Sequence, residues 1–236
     1  MSPANLWIKI CGNTSSEDAL LAADSGADAV GFVFAPSPRR VTPEQAAAII
    51  PQLPAALEKI GVFVDTSFGE IESTVLTTGL TGVQLHFDAA PALPAKLRAR
   101  FGPSLRILRV IHFGAEATET APSILKDSNV DALLIDSRTA TAVGGTGHSF
   151  DWALASKSIF QNAEACKLVA AGGLSPENVA EAIATLHPWG VDVVSGVEAA
   201  PGRKDPAKVH AFIANARLTM RSWPPASNLG LKTSKS

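Results

Sequence analysis

Apolar, β-branched runs alternate with helix-like patterns about eight times along this chain, and that rhythm restricts the fold more than any other feature. The expected strands are Leu6–Cys11, Ala29–Phe34, Lys59–Val64, Gly82–His86, Arg106–Ile111, Ala132–Asp136, Lys167–Ala171 and Val191–Val194. Helix signals lie between them. Ser15-Ser16-Glu17-Asp18 opens the first helix with a capping pattern, and Thr42-Pro43-Glu44-Gln45 opens the second with a capping box and a proline at the first helical position. Ser175-Pro176-Glu177 opens the seventh in the same style, and Gly26 is the expected glycine after the first helix. Strand–helix alternation implies a parallel sheet with right-handed crossovers. Eight such units predict a closed (β/α)8 TIM barrel of the α/β class. An open doubly wound sheet is expected to carry a glycine fingerprint after its first strand, and Cys11-Gly12-Asn13-Thr14 does not supply one. The barrel domain is expected over residues 1–218, followed by a short mobile tail, 219–236, where the pattern dissolves around Arg221-Ser222-Trp223-Pro224-Pro225.

Composition narrows the function classes. A chain of 236 residues that is 46% hydrophobic and 18% charged suits one large soluble domain. A net charge of -2 with no basic cluster argues against a nucleic-acid partner. No apolar stretch is long enough for a membrane helix, and no basic-then-apolar leader is present, so a cytoplasmic location is expected. Two cysteines, Cys11 and Cys166, make no disulfide framework, and no Cys/His cluster has zinc spacing, so no metal is expected.

Residues that end barrel strands converge on one mouth, where active sites sit. Side chains alternate along a strand, so Trp7, Lys9 and Cys11 share one face. Cys11 reads either as a small buried hydrophobe or as a thiolate base, the latter requiring a lowered pKa that Lys9 would supply. Asp136 reads either as a turn residue or as a general acid whose pKa is raised by apolar walls. Gly172-Gly173 and Ser195-Gly196, after the seventh and eighth strands, form a candidate phosphate site built from backbone N–H groups. Arg39, in the loop after strand two, is a candidate fork for a carboxylate. Closure of a barrel sets strand eight beside strand one, so Lys9 and Asp192 are expected to pair beneath the site. His86, at the end of strand four, is a weaker site candidate. Cys166, at the start of strand seven, reads as structural, and Asp151 as a helix N-cap.

These segments together resemble the phosphoribosylanthranilate isomerase family of tryptophan biosynthesis. The resemblance rests on I-K-I-C-G at Ile8–Gly12, E-D-A at Glu17–Ala19, G-A-D-A-V-G-F-V-F at Gly26–Phe34 and S-P-R at Ser37–Arg39. It continues through G-V-F-V at Gly61–Val64, V-Q-L-H at Val83–His86, L-I-D-S, G-G-T-G, F-D-W and A-G-G-L-S-P-E-N-V, and ends with S-G-V-E and P-G-x-K-D. It implies a cofactor-free Amadori rearrangement of N-(5-phosphoribosyl)anthranilate to the 1-deoxyribulose ketone. It also implies Cys11 as general base, Asp136 as general acid, Arg39 on the anthranilate carboxylate, and phosphate on the backbone around Gly172, Gly173, Ser195 and Gly196. A monomer or homodimer is expected. Phe87, Val194 and Arg40 depart from the usual family pattern, and none of them replaces Cys11 or Asp136. Two alternatives stay open: a related sugar-phosphate aminoaldose isomerase, for which paired strand-end aspartates are expected, and a non-catalytic phosphate-binding barrel subunit.

Overall fold

In a computed structural model that describes residues 6–86, 90–113, 121, 124–136, 152–160 and 167–221, eight parallel strands close into a barrel. They are β1 (Trp7–Ile10), β2 (Ala29–Val33), β3 (Glu58–Phe63), β4 (Gly82–Leu85), β5 (Arg106–His112), β6 (Ala132–Asp136), β7 (Lys167–Ala171) and β8 (Gly190–Val193). Each lies within one residue of its expected bounds at either end. Closure is made by β1 against β8, in register from Trp7 opposite Gly190 to Ile10 opposite Val193. A two-stranded antiparallel hairpin, β9 (Glu198–Ala200) and β10 (Arg203–Lys204), follows β8.

Alternation along each strand sorts side chains between two cores. Trp7, Ala29, Ile60, Leu108, Val110, Ala132, Leu134, Val169 and Ala171 pack together inside the barrel. Ile8, Ile10, Val30, Phe32, Val191 and Val193 face outward and meet the helices α1 (Ser16–Asp24), α2 (Pro43–Ile49), α3 (Phe68–Thr78) and α4 (Leu93–Phe101). The ring of helices continues with α5 (Trp152–Ser158), α6 (Val179–Leu186) and α7 (Pro206–Arg221). Each large side chain fully buried in this outer layer, such as Ile71 or Phe212, contributes roughly 1.5–3 kcal/mol. That layer therefore carries most of the stability.

The caps explain where helices begin. Thr42 and Gln45 form the expected reciprocal box, with Gln45 N donating to Thr42 Oγ1 at 3.2 Å and Thr42 N donating to Gln45 Oε1 at 2.8 Å. At α1 only half a box forms. Asp18 N donates to Ser15 Oγ at 3.1 Å, while the Asp18 carboxylate accepts from Lys204 N at 3.1 Å. Gly26 follows α1 with φ +96, as expected of a glycine in that place. The seventh expected helix starts later than Ser175-Pro176-Glu177 implied. Asn178 Oδ1 accepts from Ser175 N at 2.8 Å, which closes a turn, and α6 begins only at Val179. Helix α7 runs through Arg221, so the first three residues of the expected tail, 219–221, continue the helix, and 222–236 lie outside the described residues.

The barrel interior holds one expected charge pair. Lys9 is fully buried, and its Nζ donates to Asp192 Oδ1 at 2.8 Å, as expected, and to Gln84 Oε1 at 2.9 Å. Gln84 lies on β4, so this second bond joins β1 to a strand beyond its two hydrogen-bonded neighbours, β2 and β8. Removing one member of a buried pair strands the other charge. Lys9→Met is expected to lower unfolding stability by about 3–5 kcal/mol in urea titration, and Lys9→Met with Asp192→Leu to recover much of that loss. A single variant as stable as the parent protein would show that the pair is not dry.

Candidate active site

The β1 strand delivers Cys11 to the C-terminal mouth. Cys11 N donates to the Val193 carbonyl at 2.9 Å, extending the ladder of β1 on β8 by one residue. Alternation turns its side chain inward with Trp7 and Lys9. Gly31 on β2 makes room for it: a Cβ at that position would collide with Cys11 Sγ. Asn13, fully buried, fastens the same corner through Nδ2 to the Ile10 carbonyl at 2.8 Å and the Gly31 carbonyl at 3.2 Å. Asp136 ends β6, in register with His112 of β5 and Ala171 of β7. It alternates with Ala132 and Leu134 of the inner core and is buried. The thiol and the carboxyl thus share one end and one face of the barrel. His86 follows β4 on the same face as Gln84, and its ring lies 6.3 Å from that of His112, centroid to centroid.

The electrostatics of Cys11 correct the expectation of a lowered thiol pKa. Burial is the largest influence and pushes the thiol up. The Lys9 ammonium opposes that, and the Asp192 carboxylate adds to it, leaving the net shift upward. The physical reason is the loss of water around the sulfur, which the Lys9 ammonium, itself paired with Asp192, does not outweigh. Burial works against the Lys9 charge too, but Asp192 and Cys11 outweigh it and its pKa is raised.

The loops after β7 and β8 lie against one another. Gly172 (φ +80) and Gly173 (φ +66) turn the first loop, and Asn178 Nδ2 holds it by donating to the Gly173 carbonyl at 2.9 Å. Ser195 and Gly196 open a single helical turn after β8, Ser195–Val197. The Leu174 carbonyl presses so closely on Gly196 that no Cβ would fit there. The two expected phosphate segments are therefore neighbours.

Arg39 sits beside this mouth, but its fork does not simply face out. Its Nε donates to Glu198 Oε1 at 2.8 Å and its Nη2 to Glu198 Oε2 at 2.7 Å, a bidentate pair with a largely buried carboxylate. Burial disfavours the Glu198 charge, yet Arg39 and Lys204 hold its pKa below the ordinary value. Gln84, Asn13, Asn178, Glu198 and Lys204 escaped sequence reasoning as individual site residues. For Gln84 a signal existed, since it lies two positions before His86 on one face of β4. Glu198 and Lys204 stood only as letters of S-G-V-E and P-G-x-K-D. Phe87, Asp151, Cys166 and Trp223 lie outside the described residues. Among the described residues no three of His, Cys, Asp and Glu are grouped to hold a metal ion, and no helix is long and apolar enough to cross a membrane.

A raised thiol pKa links to stability. The folded chain holds the Cys11 proton to higher pH than the unfolded chain does, so its contribution is full below the ordinary value of 9.0 and is lost as pH rises through the folded value. The parent protein is expected to lose stability faster than Cys11→Ala above about pH 9, by up to about 1.4 kcal/mol per pH unit. Parallel unfolding curves for the two proteins across that range would contradict the assigned burial.

Residues 8–215 match the family described as N-(5'phosphoribosyl)anthranilate (PRA) isomerase. The chain is 46% identical over 213 residues to the N-(5'-phosphoribosyl)anthranilate isomerase of Pelobacter propionicus, covering 90% of this chain and 96% of that one. Its structure is similar to the crystal structure of phosphoribosyl anthranilate isomerase from Thermotoga maritima, with a TM-score of 0.79 at 38% identity, covering 89% of this chain and 98% of that one. It is also similar to a phosphoribosyl anthranilate isomerase in complex with reduced 1-(o-carboxyphenylamino)-1-deoxyribulose 5-phosphate, with a TM-score of 0.75 at 36% identity, covering 89% and 98% of the two chains. The whole barrel, from the strand that presents Cys11 to the last helix, takes part in these matches, and the chain belongs to the N-(5'-phosphoribosyl)anthranilate isomerase family.

Proposed function

We propose that this protein converts N-(5-phosphoribosyl)anthranilate to 1-(2-carboxyphenylamino)-1-deoxyribulose 5-phosphate, a step of tryptophan biosynthesis, with Asp136 as general acid and Cys11 as general base. The observation that carries the reading is the pairing of an inward thiol and an inward carboxyl at the mouth ends of β1 and β6, in a chain of this family.

The reaction moves protons at four atoms, onto the ring oxygen, off C2, onto C1 and off the C2 hydroxyl, and needs no electron transfer to or from an outside group. Asp136 gives a proton to the furanose ring oxygen as the bond from that oxygen to C1 breaks, which leaves an iminium between C1 and the aryl nitrogen. The iminium acidifies the proton on C2. Cys11, as thiolate, takes that proton, and the electron pair neutralises the iminium to an enol-amine. Return of that proton from Cys11 to C1 and release of the C2 hydroxyl proton, with Asp136 taking up a proton in exchange, give the ketone and restore both groups. The positive iminium forms beside the sulfur and favours the thiolate at that moment, which offsets the burial that raises its resting pKa.

Binding divides among three regions. Phosphate is held by the backbone of Gly172, Gly173, Ser195 and Gly196, whose two loops already touch. The anthranilate carboxylate is met by Arg39, with Glu198 gripping the Nε–Nη2 edge of the fork and so directing its other edge. Lys9 and Asp192 form the charged floor under Cys11. Cys11→Ala and Asp136→Ala are each expected to lower kcat by about 10²–10⁴-fold with KM changed little, measured on freshly formed substrate. Retained kcat in either variant would remove that residue from its role.

A further inference from the structure

Lys204 is a buried lysine that the proposed chemistry does not use. It stands on β10, only 3% exposed. Its Nζ donates to the Cys11 carbonyl at 2.5 Å, and to the Val194 carbonyl and Glu198 Oε1 at 3.4 Å each. Its backbone N–H is fixed by the Asp18 carboxylate at 3.1 Å. The hairpin around it is stitched down as well: Thr14 Oγ1 donates to the Gly202 carbonyl at 2.6 Å, and Gly202 N donates to Glu198 Oε1 at 3.2 Å.

An ammonium this deeply placed is costly to bury, and an apolar side chain would fill the space at lower cost. What an apolar side chain lacks is three donors. Here each donor ends on an element that bears on the substrate. One holds the residue that presents the thiol. Another holds the residue just before Ser195. The third reaches the carboxylate whose oxygens grip Arg39. We infer that Lys204 is a positioning residue, whose ammonium ties the Cys11 strand end and the Val194–Ser195 loop to the Glu198 carboxylate that aims Arg39. The inference rests on the roles proposed above for Cys11 and Arg39.

Charge follows from the same geometry. The groups facing the thiol are Lys9 from its own strand, Asp192 from β8 and Lys204 from β10, with Glu198 and Arg39 next beyond. Taking away Lys204 removes a cation and leaves both carboxylates, so ionisation of Cys11 is expected to move to higher pH.

The test compares Lys204→Met, Lys204→Arg and Glu198→Gln. In Lys204→Met, kcat is expected to fall about tenfold or more with KM raised several-fold, since small misplacements of a reacting group carry such penalties. The acid limb of the kcat/KM profile is expected to move to higher pH, and so is thiolate ultraviolet absorbance, read as a difference from Cys11→Ser in the same background. Lys204→Arg, which keeps the charge, should restore part of both. Glu198→Gln should raise KM while kcat stays within a few-fold, because Arg39 loses its guide and Cys11 does not. A folded Lys204→Met with parental kcat, KM and limb position overturns the inference. Should Lys204→Met fail to fold, Lys204→Gln, which keeps hydrogen-bond donors but not the charge, decides: an unmoved acid limb and thiolate absorbance overturn the inference, and a move of both to higher pH upholds it. The absorbance titration needs no turnover. It therefore separates failure of this inference from failure of the base assignment, which would show instead as retained kcat in Cys11→Ala.

Discussion

Everything distinctive about this molecule depends on the join between its first and last strands. β1 pairs with β8 over residues separated by most of the chain, and the Lys9–Asp192 bond crosses the same seam between positions 183 apart in sequence. Until that join forms, Lys9 faces water and has no reason to pair. Once it forms, the lysine is enclosed, and only a carboxylate and an amide within reach make the enclosure tolerable. The same join sets the Cys11 backbone against Val193, which brings the thiol-bearing corner to the loop that opens at Ser195.

Two kinds of energy divide the work. The apolar layer between barrel and helices supplies most of the favourable free energy, because a barrel presents its whole outer face to a ring of amphipathic helices. The polar interior contributes little net stability, since desolvation nearly offsets the attraction within each buried pair. What it contributes is placement. Lys9 spans from β1 to Gln84 on β4, and Lys204 spans from β10 to Cys11. Exposed pairs such as Arg100 with Glu72 sit in high dielectric and matter far less.

A buried thiol with a raised pKa looks at first like a poor base. The proposed chemistry turns that into a condition on timing. Burial holds the Cys11 proton to higher pH, and the iminium formed when the sugar ring opens favours its loss. In the proposed chemistry ring opening leaves the Asp136 carboxylate and the iminium as an opposite pair, and the field of the iminium favours the thiolate. In that proposal Lys9 belongs to the floor, and the reacting molecule supplies the charge that the thiol responds to.

The primary sequence was enough to determine the eight-strand rhythm, each strand to within one residue of its ends, the Thr42–Gln45 cap and the inward face shared by Lys9 and Cys11. These are legible because side-chain alternation and capping are local, readable from a few neighbouring residues. The convergence of Cys11 with Asp136, and of the Gly172–Gly173 and Ser195–Gly196 loops, followed from topology once a closed barrel was assumed. Local pattern did not reveal the partners of the charges. Glu198 taking one edge of the Arg39 fork, Gln84 reaching across to Lys9, Asp18 leaving its own helix cap for Lys204, and Asn178 delaying the start of α6 were decided in three dimensions. A buried polar group must be satisfied by whatever the fold brings near it, and chain order carries no record of that distance.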